Sequence, residues 1–167
     1  MKGAREPLLL IATGLFLCAC WLPAFLGFAG IALGMHDLRK SELGASLGTW
    51  RVLLVVASWI SSVLWGWGLI GMWEPLVLPM VLFQALTLVG TGIALHVLAR
   101  RDGATGLARA IFILSLCPLA YFPLLLANRP GLTSLVYSSA LLVLAMLTLR
   151  LRARAVPYGR RALPSPR

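Results

Sequence analysis

The chain has 167 residues, 60% hydrophobic and only 12% charged, with a mean hydropathy of +0.91. Soluble domains are about half apolar and a quarter charged, so this is not the balance of a water-soluble fold. The net charge of +10 comes from 15 Lys and Arg against five acids. These cations sit between and after the apolar runs, which makes them topology signals and argues against a nucleic-acid partner.

Counted in crossings of roughly 20 apolar residues each, the pattern predicts an all-α polytopic transmembrane bundle of about five spans over residues 1–149. A basic tail follows over 150–167. Span one runs from Leu8 to Met35. As one helix its 28 residues would reach about 42 Å, against a hydrocarbon core of about 30 Å. Pro23 near the middle removes a backbone hydrogen bond, so a kinked full span is expected there, in narrow preference to a turn that re-enters the same side. The apolar run continues well past Cys20, so Leu17-Cys18-Ala19-Cys20 is not expected to be a leader cleavage box.

A polar connector with Asp37, Arg39, Lys40, Glu42, Gly44 and Gly48 leads to span two, 52–73, bracketed by Trp50 and Trp73 as interface anchors. Glu74-Pro75 makes a tight turn into span three, 76–99. Arg100 to Gly106 connects to span four, 107–127, and Asn128-Arg129-Pro130-Gly131 is a strong turn signal before span five, 132–149. The Pro-, Gly- and Arg-rich end has little to bury and is expected to be disordered.

Positive connectors are retained in the cytoplasm. Five crossings place twelve Lys and Arg inside against Lys2, Arg5 and Arg129 outside, with the C-terminus cytoplasmic and the N-terminus outside. Turning the first segment back at Pro23 moves Lys2 and Arg5 inside, for fourteen against one. Two arms of about 14 residues reach only about 21 Å each, however, which is short for a crossing.

The spans hold no Asp, Glu, Lys or Arg away from their ends, which weakens any ion-coupled transport reading. Gln84 is expected to bond a neighbouring helix. His36 and His96 fall near the cytoplasmic ends of their spans. No cofactor is expected, but these two are the residues that would ligate a haem or chlorophyll-type pigment if one bound. Interfacial histidines bonded to headgroups or backbone are the commoner arrangement. Small residues recur at helical spacing: Gly30 and Gly34; Ser58, Ser62 and Gly66; Gly90 and Ala94; Ser134 and Ser138. They are expected to let helix backbones approach closely, within the chain or against a partner. Arg150, Arg152 and Arg154 are expected to meet anionic lipid headgroups, and Glu74 to share a side with Arg129. No catalytic pair or metal-ligand cluster can be assembled, so an enzyme is not expected.

The run Gly30-Ile31-Ala32-Leu33-Gly34-Met35-His36-Asp37-Leu38-Arg39-Lys40, then the Gly44 and Gly48 connector and a new span, resembles small bacterial membrane proteins with a DUF4190-type domain. The resemblance covers residues 8–70 and implies a bacterial cytoplasmic-membrane setting and no particular activity. The functional expectation is a non-enzymatic accessory or scaffolding subunit that packs against other membrane proteins or itself. A small permease or channel component acting as an oligomer comes second, and a haem- or pigment-binding subunit third.

Overall fold

A computed structural model describes residues 4–20, 24–41, 47–69, 77–120 and 130–154, and within these the chain is all-helical. The helices are α1 (Arg5–Ala19), α2 (Ala24–Asp37), α3 (Gly48–Leu69), α4 (Val77–Arg101), α5 (Thr105–Ser115) and α6 (Pro130–Arg154). Short 3-10 turns follow α2 (Leu38–Lys40) and α5 (Cys117–Ala120). Three stretches are long and apolar enough to cross a membrane: Gly48–Trp67, Val81–Arg101 and Ser134–Arg154.

The long first segment is two helices packed antiparallel, in place of the single kinked span preferred from the sequence. Glycines permit the close approach. A Cβ on Gly14 would stand 2.5 Å from the Gly27 carbonyl oxygen and 2.9 Å from the Ile31 nitrogen, and one on Gly34 would stand 2.7 Å from the Pro7 oxygen. Pairing of 14 with 27 and of 7 with 34 can arise only if the chain doubles back. Pro23 itself lies outside the described residues, as do the Glu74-Pro75 turn, Arg129 and the chain beyond Arg154.

Each helix then packs antiparallel on the next in sequence, and α6 returns against α1, so the six form a closed ring. Individual contacts set the register. Ser62 Oγ donates to the Phe25 carbonyl between α3 and α2 (2.7 Å), and Ser138 Oγ donates to the Ala19 carbonyl between α6 and α1 (2.9 Å). The second of these gives a partner to a carbonyl of the last turn of α1, which has none within its own helix. One core fills the ring, with Leu8, Ile11 and Leu15 of α1, Phe28 and Ile31 of α2, Leu88 and Leu95 of α4, Ile111 of α5 and Leu141 of α6 fully buried.

Local chemistry explains several boundaries. After α4, the Gly103 backbone is left-handed (φ +76°), Ala104 N–H donates to Ala99 O (3.0 Å), and Gly103 N–H donates to Arg100 O (3.1 Å). That paired capping turn satisfies the final carbonyls and favours glycine, which has no Cβ to clash. α5 stops at Ser115 and tightens into the 3-10 turn that holds Pro118, which cannot donate to a helical bond. Span four, expected to run to 127, is therefore not one continuous α-helix over its described part. α6 runs five residues beyond the expected end of span five, through Arg150, Arg152 and Arg154. Leu151 is buried, and cations are favourable at a helix C-terminus.

Candidate functional site

The ring has two unlike ends. The starts of α1, α3 and α5 and the ends of α2, α4 and α6 lie at one end, and every described Lys and Arg is there: Arg5, Arg39, Lys40, Arg51, Arg100, Arg101, Arg109, Arg150, Arg152 and Arg154. With Glu6, Asp37 and Asp102 at the same end, ten cations less three acids leave +7. Among the described residues the opposite end carries no Asp, Glu, Lys or Arg. Arg152 Nε donates to the Arg5 carbonyl (3.1 Å), tying the end of α6 to the start of α1, while Arg150 and Arg154 are exposed.

Between the ends, polar side chains gather on α3 and α4. Thr87 Oγ1 donates to Phe83 O (2.8 Å), so in its 3.2 Å contact with Ser61 the serine is the donor. Thr91 donates to Thr87 O (2.8 Å). Both threonines are returning their hydrogens to their own helix, and Ser61–Thr87 is the hydroxyl bond that crosses between α3 and α4. Thr87→Val keeps the shape but removes the acceptor for Ser61. It is expected to lower stability in detergent by about 0.6 kcal/mol, the average for an interhelical bond in a membrane protein, measurable by SDS-unfolding titration.

Three buried side-chain atoms find no hydrogen-bond partner among the described residues: Arg51 Nη1, Ser58 Oγ and Gln84 Nε2. All are on α3 or α4. Ser58 is fully buried and Gln84 is 6% exposed. A buried polar atom left unpaired costs about 1–3 kcal/mol, so this concentration on two neighbouring helices calls for a physical account. The interhelical bond expected of Gln84 is not made by its Nε2.

The other small-residue positions fall in different places. Gly30 meets Gly14 Cα at an ordinary 3.4 Å from its Cβ position, and Gly34 is in the tight α1–α2 contact. Ser58 is buried, Ser62 bonds α2, and Gly66 has open space where a Cβ would stand, so this trio is not one contact stripe. A Cβ on Gly90 would meet Leu54 Cδ2 of α3 at 2.6 Å, and Ala94 is fully buried. Ser138 bonds α1, and Ser134 is half-buried. Gly92 was not singled out from the sequence, yet a Cβ there would overlap Ser115 of α5.

The two histidines have different settings. His96 Nδ1 lies 2.8 Å from Ala108 O, and its ring packs on Phe112 at a tilt of 53° with centroids 5.2 Å apart, which fastens α4 to α5. A carbonyl only accepts, so Nδ1 carries the proton. His36 is exposed on the last turn of α2. No hydrogen bond or ring contact joins the two among the described residues.

Outside the core, α3 shows Val52, Val56, Trp59, Ile60, Val63 and Trp67 to the exterior, and α6 shows Leu135, Val143 and Met146. Such wide apolar faces are at home in lipid or against another apolar helix. No protein-family model matches the chain, and neither a curated protein nor a solved structure is significantly similar to it.

Proposed function

We propose that the protein is a non-enzymatic integral membrane protein whose six described helices stand across or within a bilayer, with the basic end, where α1 starts and α6 ends, on the cytoplasmic side. The support is the gathering of all ten described cations at one end of the ring, the asymmetry by which positive segments are held inside. A bacterial cytoplasmic membrane is the setting that the resemblance over residues 8–70 implies. Arg150, Arg154 and their neighbours then lie among anionic headgroups, where each contributes about 1 kcal/mol.

Its role in that membrane is an accessory or scaffolding subunit. The observation that carries this reading is the outward face of α3, where Trp59, Ile60 and Val63 are exposed and Gly66 leaves room for a second backbone. In lipid, apolar area alone does not draw helices together, whereas a small outward residue permits close packing. Purification in a mild detergent should yield a stoichiometric membrane partner or a second copy. Gly66→Leu should release it while leaving the thermal midpoint of the chain unchanged. A lone monomer, or a partner retained by Gly66→Leu, would sink the reading. A permease or channel component is the second reading, favoured by the unpaired polar atoms inside the ring.

A further inference from the structure

Contacts between neighbouring helices fix their heights in the ring. Between α1 and α6, Ser138 meets Ala19 and Arg152 meets Arg5, 14 residues further along on both helices. Gly34 against Pro7 and Gly27 against Gly14 set His36 of α2 level with Arg5. Ser62 meets Phe25, so Arg51 of α3, 11 residues before Ser62, is level with His36, 11 residues after Phe25. Gly90 against Leu54, Thr87 against Ser61 and His96 beside Ala108 carry the same height to Leu95 of α4 and Arg109 of α5, within a turn. Arg5, Arg51, Arg109 and Arg152 therefore stand at one level on four of the six helices.

Guanidinium groups gather among headgroups, so this level marks the near boundary of the hydrocarbon. A core of about 30 Å then ends about 20 residues along each helix. α6 runs 22 residues from Arg152 to Pro130, about 33 Å. α3 runs 18 from Arg51 to Leu69, and α4 runs 18 from Leu95 to Val77, about 27 Å each. α1 runs only 14 from Arg5 to Ala19, about 21 Å, and α2 only 12 from His36 to Ala24, about 18 Å. The hairpin ends thus stop about 9–12 Å short of the far boundary. At those ends lie the last carbonyls of α1 and the first N–H groups of α2, which have no partner within their own helices. Ser138 serves one of them, Ala19 O. Hydrocarbon offers no partner to any, and one unsatisfied backbone group there costs as much as on the order of 10 Å of thickness mismatch. Drawing the membrane surface down to the hairpin is the less unfavourable outcome.

We propose that the α1–α2 side of the ring fits a bilayer about 9 Å thinner than the side made by α3 and α4, so that lipid dips there and Cys20 stands at the wet floor of the dip. The dip presupposes the bilayer placement proposed above. The test uses the full chain with Cys18 and Cys117 replaced by alanine, in vesicles of dioleoylphosphatidylcholine with a charged maleimide on both sides. Leu82 is exposed on α4, 13 residues from Leu95, at about 20 Å against about 22 Å for Cys20. Cys20 should react at least about tenfold faster than Leu82→Cys in a Cys20→Ala background, because a thiolate forms in water and not in lipid. In vesicles mixing dimyristoleoyl- and dierucoylphosphatidylcholine, brominated short-chain lipid should quench a fluorophore on Cys20 at least about twofold more than one on Leu82→Cys. Slow reaction at both positions would mean that the hairpin ends lie under lipid of full thickness, and would overturn the dip. Equal quenching would overturn it as well. If Leu82→Cys reacts as fast as Asp102→Cys at the exposed turn, the bilayer placement itself fails.

Discussion

Replacing Gly14 with leucine should separate α1 from α2 and unfold that side of the ring. A Cβ alone would sit 2.5 Å from the Gly27 oxygen and 2.9 Å from the Ile31 nitrogen. Both are backbone atoms, so no rotamer change can make room. Overpacking a core costs about 1–3 kcal/mol where side chains can adjust, and this site should exceed that range. Gly34→Leu, against Pro7 O and Ile11, should behave alike. Gly66→Ala is the control: with nothing within 4 Å it should be neutral or stabilising by up to about 1 kcal/mol, since glycine is the poorer helix former. Unfolding titrations of the three variants in one detergent check the ranking, and a Gly14→Leu protein as stable as Gly66→Ala would mean that α1 and α2 do not pack this way.

An all-or-none result is expected for topology. A cysteine at Glu6, on the first turn of α1, and one at Arg154, on the last turn of α6, should be labelled by an impermeant reagent from the same face of the membrane. Native Cys20, exposed just after α1, should be labelled from the opposite face. The contrast is decisive because a single span over 8–35 puts Glu6 and Arg154 on opposite faces, whereas the α1–α2 hairpin puts them together. The Arg152–Arg5 hydrogen bond already joins those two helix ends. Labelling of Glu6→Cys and Arg154→Cys from different faces would sink the hairpin as a membrane-embedded unit.

Much of the helical content was legible from the chain. The apolar runs anticipate α3, α4 and α6 to within about five residues at each end, and turn-forming residues such as Asp102 and Gly103 mark the end of α4. The first segment is ambiguous in the sequence for a definite reason. Its 28 apolar residues read alike as one long helix or two short ones, and neither length fits a bilayer well. The deciding contact, Gly14 against Gly27, lies between residues 13 apart and leaves no local mark. The charge count of fourteen to one favours the turn, while the short reach of the two arms opposes it.

The polar side chains gathered on α3 and α4 are only half legible. Gln84, Thr87 and Thr91 stand at helical spacing on one face, which marks them in the sequence. Ser58 and Ser62 looked like one packing stripe with Gly66, yet they face different neighbours.

By itself the sequence determined that this is a helical protein with runs apolar enough to cross a membrane, where its chain changes direction between most helices, and which segments carry positive charge. Those properties depend on composition and local chemistry. Among the described residues, the tertiary structure decided that the first segment doubles back, that six helices close into a ring, that their cations gather at one end, and which polar groups are enclosed without partners. In a chain apolar on nearly every helix face, hydrophobic periodicity cannot say which face turns inward, so those outcomes rest on contacts between residues far apart in sequence.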